Sequence, residues 1–329
     1  MKSIILIAAA LLATASIFSQ KAVLLHKTNG TQQAFYSNQP LVDAYNAAGA
    51  GDTIYIPGGF FAGFHIYKRL FIYGAGHYPD STQATGTTVI TNYLTVQDEA
   101  DSTLVEGLHV NGSFDIATGA TYVKVKRNRI ESTFTVLGNY VQIEANVMMS
   151  NVQCNSTPMQ LLFASNIIQG SIVGFGNGTV FRNNIFLADW RVLPYPHSTY
   201  VLFENNIFVG TNPEWNYGGG SVYNTFTKNV FYINPDFTNN TASGNYTNAS
   251  NVFVNQTGNA FNYGHNYHLQ NPANYQGVDA TQCGIYGGLF GYKEGAVPAN
   301  PHIISKTISA TTDGTGKLNA TIKVAAQNN

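Results

Sequence analysis

The chain has 329 residues, with 16 Lys and Arg against 17 Asp and Glu and a net charge of −1. Only 10% of its residues are charged, against roughly 25% in ordinary globular chains, while 36 are Asn, 32 Gly, 20 Tyr and 20 Phe. That length can bury a sizeable core, and the neutral, charge-poor composition excludes an electrostatic nucleic-acid binder and leaves few groups for acid–base chemistry.

Residues 1–20 begin with Lys2, continue with an apolar run from Ile4 to Leu12, and end in small residues before Ser19 and Gln20. This is the pattern of a secretory signal peptide, with cleavage expected between Ala15 and Gln20. The run is shorter than the ~20 residues a membrane helix needs, and no later segment has that length and apolarity. No Cys follows the cleavage region, so no lipid attachment is expected. The mature chain is expected to be exported, secreted or held at the cell surface. Its two cysteines, Cys154 and Cys283, either pair or serve as small buried apolar residues.

From residue 105 the chain repeats itself. Asn128, Asn146, Asn166, Asn184, Asn206 and Asn229 recur in the segments RNRI, ANVM, SNII, NNIF, NNIF and KNVF, and Leu108 takes the same place one unit earlier. The spacings are 20, 18, 20, 18, 22 and 23 residues, with short β-branched and aromatic runs between turn residues. Three residues before each anchor stand Val105, Val125, Ile143, Phe163, Phe181, Phe203 and Phe226. Two residues after it stand Val110, Ile130, Met148, Ile168, Phe186, Phe208 and Phe231. Period-2 alternation makes both columns inward stacks and turns the column Glu106, Lys126, Glu144, Ala164, Arg182, Glu204, Thr227 outward, with unlike charges on adjacent rungs. An inward Asn at a turn can bond the backbone of neighbouring coils, so a repeated Asn predicts a solenoid of β-coils.

With these columns, and with the segments GLHVNG and FRNNIFLAD, the chain resembles the right-handed parallel β-helix proteins of the pectate-lyase-like superfamily, over Gln39 to Gly288. The segment QPLVDAYNAAGAGDTIYIPGGFFAG, from Gln39 to Gly63, resembles their start: a short capping helix carrying Leu41, Val42 and Tyr45, then a first strand. HNYHLQNPANYQGVDATQCGIYGG, from His265 to Gly288, resembles the closing coil of secreted bacterial members. The expected fold is therefore all-β, a single-stranded right-handed parallel β-helix solenoid over residues 21–288 with an N-terminal capping helix. Residues 289–329 read as a linker and a short C-terminal β-hairpin about the turn DGTG, packed on the last coil or continuing its sheet.

The resemblance is specific for fold rather than activity, because this scaffold serves lyases, hydrolases, adhesins and proteins without known chemistry. Pectate lyases of the superfamily bind calcium with clustered Asp and Glu and use an Arg base, and its hydrolases carry NTD, DD and GHG motifs. None of those three motifs occurs here, and no two Asp are adjacent. The row expected to line the superfamily's groove, Asp115, Thr135, Gln153, Val173 and Arg191 or Leu193, spaces its charged ends four rungs or roughly 19 Å apart, too far to cooperate.

Two longer loops interrupt the coils, Ala188 to Thr199 and Gly210 to Gly220, and are expected on one side. They bring Trp190, Arg191, Tyr195, His197, Glu214, Trp215 and Tyr217, with Asp189, to a candidate glycan-binding surface, since aromatic faces stack on sugars and polar groups fix orientation. The structural alternative is that the aromatics seal the loops onto the coils. The cluster Lys124, Lys126, Arg127 and Arg129 could hold a polysaccharide carboxylate or sulfate, or be a solvated face with Lys126 between Glu106 and Glu144. His265 and His268 lack a third ligand for a metal.

The function read from the sequence is extracellular polysaccharide binding. A lyase or glycoside hydrolase acting on an acidic polysaccharide, drawn from Glu214, Asp189, Arg191, His197 or the Lys124–Arg129 strip, is the first alternative. A structural envelope or matrix component is the second. No metal or cofactor is expected, calcium having no motif behind it; the partner is a polysaccharide, with no nucleic acid, no membrane span and a monomeric chain.

Overall fold

Each repeat becomes one turn of a parallel β-solenoid of about nine turns. The structure is a computed structural model describing residues 21–154, 158–299 and 301–325; the expected signal peptide lies outside the described residues. A first ladder of short strands runs in parallel from Thr53–Tyr55 to Thr241–Ser243, and a second follows the Asn positions from Arg129–Ile130 to Val230–Phe231. A third joins Phe134–Val136, Val152–Gln153 and Ile172–Val173. In the early coils the strands Gly59–Ile66, Thr88–Val96 and His109–Ile116 cover both later positions without a break.

Both inward columns pair in the expected register. Phe163, Phe181, Phe203 and Phe226 stack face to face at 4.4, 5.3 and 4.7 Å. Phe186, Phe208 and Phe231 follow at 4.6 and 4.5 Å. All are buried, and offset ring stacking adds about 0.5–1.5 kcal/mol per pair to their burial.

The Asn column is a buried hydrogen-bond ladder. The Asn146 Oδ1 accepts the Asn128 backbone N–H at 2.9 Å and its side-chain amide at 3.2 Å, while Asn146 Nδ2 donates to the Val125 carbonyl at 2.8 Å. The same three bonds recur at Asn166, Asn184, Asn206 and Asn229 and extend to Asn245, which the sequence reading did not include. The residue before each ladder Asn turns the chain with positive φ, from 51° at Arg127 to 60° at Gly244. That conformation costs about 1–2 kcal/mol for an L-residue, and the ladder bonds it permits offset the cost.

The ends differ from expectation. Val23–His26 and Gln32–Phe35 form an antiparallel hairpin that pairs with the first coil. In the capping helix, Pro40–Ala47, the buried face is Leu41 and Ala44, and Val42 points to solvent. The expected closing coil is absent from the parallel ladders: Phe253–Asn255 and Asn266–Leu269 pair antiparallel, and the segment to Gly288 lies on the outside of the solenoid. The cause is a third apolar column. Val147, Ile167, Ile185, Ile207 and Val230 face outward, one residue after each Asn, and are sealed by Val252, Phe253, Phe261, Tyr267, Leu269 and Ile285. This strap continues through residues 289–299, expected as a linker, until the Ala299 N–H reaches Glu106 Oε1 at 3.2 Å. Among the described residues the terminal hairpin, His302–Ile308 with Ala320–Ala325, forms a separate two-stranded sheet and is mostly exposed, so it does not extend the sheet of the last coil.

Candidate functional site

The two loops do meet on one side of the solenoid. Asp189 Oδ1 accepts the Thr211 N–H at 2.7 Å, and Trp190 Nε1 donates to Glu214 Oε2 at 3.0 Å. Trp190 is 52% exposed, with the Arg191 guanidinium 3.9 Å from its ring centre, and Tyr195 is 74% exposed with its ring edge-on to His197. His197 in turn lies against Gly220, where a Cβ would sit 2.1 Å from Nε2. Trp215 corrects the expectation. It is 4% exposed and packed among Phe208, Phe226, Phe231 and Phe237, so it cannot meet an external ligand. Its segment continues the coil instead of leaving it: the Leu193 N–H donates to the Trp215 carbonyl at 2.9 Å, and Leu193 pairs with Asn216. The Tyr217 side chain lies outside the described residues. The space beside Trp215 and Gly210 is 10 Å³, at the lower limit for one water.

The two carboxylates among the acid–base candidates, Asp189 and Glu214, hold these loops together. Asp189 bonds Thr211 and Glu214 bonds Trp190. The third ladder is equally quiet, with Gln153 Nε2 donating to Thr135 Oγ1 at 3.2 Å and Leu193 turned into the core.

The basic strip behaves otherwise, because the strap roofs part of it. A half-open groove of 740 Å³ lies between the outer face of the first ladder and residues 289–299, within the roughly 300–1,000 Å³ of small-ligand sites. Phe71, Tyr73, Leu104 and Tyr122 supply apolar wall, and Lys124, Lys126, Arg127 and Lys293 supply four cations against Glu106 and Glu144, a net charge of 4 − 2 = +2. Lys126 Nζ sits 2.7 Å from Glu144 Oε2, and Arg127 pairs with Glu106. Both carboxylates are buried under the strap rather than solvated, at 6% and 3% exposed. Lys124 makes no ion pair among the described residues and is exposed. Burial, and then the neighbouring Arg127, lowers the Lys293 ammonium from its usual range. Burial and the Glu106 charge raise the Tyr73 phenol.

Arg129, the fourth member of the strip, lies past the Asn turn on the second ladder. Its Nε reaches Glu131 at 2.5 Å and its guanidinium lies 5.0 Å from the Tyr263 ring, so it does not join the groove. His265 contacts Tyr267, and His268 stacks on Tyr286 at 3.7 Å while bonding Glu294. Cys154 and Cys283 are both buried and form no disulfide; the Cys283 Sγ donates to the Lys228 carbonyl, and burial pushes its thiol up to about 12. Among the described residues no helix is long and apolar enough to cross a membrane.

The sequence reading missed Tyr73, Tyr122 and Lys293. Tyr122 stands at positive φ and stacks on Tyr140 at 4.8 Å; with Tyr200 and Tyr223 these form a further column six residues before the ladder Asn, a repeat the sequence reading did not use. Lys293 reaches the strip across more than 160 residues, as 293 − 126 = 167. Compared with known proteins, the chain matches no family model, no curated protein and no solved structure.

Proposed function

We propose that this chain is an exported or cell-surface β-solenoid that binds an acidic polysaccharide in the groove between the Lys124–Arg127 strip and the strap. The observation that carries the reading is the pairing of a net charge of +2 with apolar and tyrosine wall in one groove of 740 Å³. Cations recognise carboxylate or sulfate through charge-assisted hydrogen bonds, and rings accept the apolar faces of sugars. The N-terminal pattern supports export, and the resemblance to the pectate-lyase-like superfamily supports a glycan as ligand. The exposed Trp190 and Tyr195 offer a second, shallower contact surface.

One observation favours a lyase as the second reading. Lys293 is an amine with lowered proton affinity beside Arg127, the combination needed to remove a proton next to a uronate carboxylate that a cation holds. Unsaturated ends on product oligosaccharides would establish it.

The test is retention of the purified protein in native gels containing polygalacturonate, alginate, a sulfated galactan or a neutral glucan. Retention is expected in acidic gels only, weakened at least tenfold by Lys124→Ala with Lys126→Ala and little by Trp190→Ala with Tyr195→Ala. Equal mobility in every gel would remove the proposal.

A further inference from the structure

On another flank of the strap lies a second cavity, of 420 Å³, with the opposite character. It opens between the turn Tyr78 to Ser81, early in the solenoid, and strap residues 263–267 and 286–295. Among the described residues its lining includes Tyr78, Tyr263, Tyr267, Tyr286 and Tyr292, with two carboxylates, Asp80 and Glu294, and the imidazole of His265. The rings meet at steep angles: Tyr78 and Tyr263 at 66° with centres 4.5 Å apart, Tyr286 and Tyr292 at 85° and 6.2 Å. Steep angles make an enclosure, where parallel rings would close into a stack.

The enclosure is fixed in place. The hydroxyls of Tyr78 and Tyr292 share a 2.8 Å hydrogen bond, and the Tyr263 hydroxyl donates to the buried His77 carbonyl at 2.9 Å. Tyr286 is held by its stack on His268. Burial raises every one of these five phenols, so the wall is neutral rather than phenolate; Tyr267 and Tyr292 are nearly buried, and Tyr78, Tyr263 and Tyr286 are the more open rings. A cation against one of these aromatics is a contact the fold already makes, since the Arg129 guanidinium lies 5.0 Å from the Tyr263 ring.

We infer that this cavity is a binding site for an organic ammonium group, either the quaternary ammonium of a choline-like headgroup or the amine of an amino sugar. Ring faces carry negative charge density and attract a cation, and Asp80 and Glu294 add to the attraction at the mouth. The same carboxylates repel the acidic glycan assigned to the groove, so the two sites would sort ligands by charge and stand or fall separately.

The test is titration of the full mature protein by NMR or calorimetry with choline, with glucosamine, and with 3,3-dimethyl-1-butanol, the uncharged shape analogue of choline. Saturable binding of choline or glucosamine is expected, at least tenfold tighter than the alcohol, and whichever binds tighter identifies the source. Asp80→Asn with Glu294→Gln, both at exposed positions, should weaken the cation at least threefold and leave the alcohol unchanged. Tyr286→Leu should weaken it at least fivefold where Tyr286→Phe, which keeps the ring, does not. No saturation by either cation, or equal binding of the alcohol, would overturn the inference. Lys124→Ala serves as the control that leaves this binding intact.

Discussion

The inner and outer faces of the second ladder are both buried, yet they recruit their neighbours in different ways. Inside, Phe186, Phe208 and Phe231 touch their own kind on the next rung, so each contact is made to a residue about 20 positions away with the same role. Outside, Ile185, Ile207 and Val230 touch a strap that carries no repeat and arrives from residues 252–292. Gly284 shows how closely the strap is fitted: it holds φ +79°, a Cβ there would sit 2.6 Å from Ile207 Cδ1, and its N–H donates to the Asn205 carbonyl. The inner face is therefore a stack that supports itself, and the outer face is a docking event between distant parts of the chain. Both candidate sites border the strap, where unlike surfaces meet and leave space between them.

The contrast can be broken first on the inside. Phe203→Ala, with stacked rings above and below, should cost about 3–5 kcal/mol by denaturant unfolding and lower the stability of the whole solenoid. A loss under 1 kcal/mol would mean the stack is not continuous. Asn184→Leu removes the acceptor for the Asn166 N–H and side-chain amide and should cost about 1–3 kcal/mol.

On the outside the expected effect is smaller and local. Gly284→Ala strains an αL position by about 1–2 kcal/mol and should speed hydrogen exchange in residues 252–292 while the inner ladders keep their protection. Uniform loss of protection would show that strap and solenoid form one cooperative unit.

The last effect is on pH dependence. Burial holds the His77 imidazole well below its usual range, with His109 and Arg129 adding to it, and His109 is lowered mainly by its own burial. The unfolded chain takes up these protons near pH 6.5 and the folded one only at lower pH, so this stability is complete above about pH 6.5 and is lost as pH falls below it. The slope is at most about 1.4 kcal/mol per pH unit for each group. Melting temperature should fall from pH 7 to 5, less steeply in His77→Gln, and a flat profile would contradict the assignment.

How much was legible follows from the same contrast. The ladder residues Asn128 to Asn229 and both Phe stacks could be read because each repeats a neighbour's environment at a fixed spacing. The outward column from Val147 to Val230 is as apolar as the inner ones and announces a cover, but nothing in its spacing names residues 252–292 as that cover. The same gap hid Lys293 from the basic strip. Trp215 misled for a different reason: an insertion after Phe208 looks like a loop in sequence, while its Trp returns to the coil and fills the core beside Phe226.

The most direct test of the account is a hydrogen-exchange footprint of a bound acidic oligosaccharide. Added protection should fall on residues 122–127 and 289–293, the two walls of the groove. Protection confined to residues 188–199 and 210–220 would move the site to the loops around Trp190 and contradict the proposal.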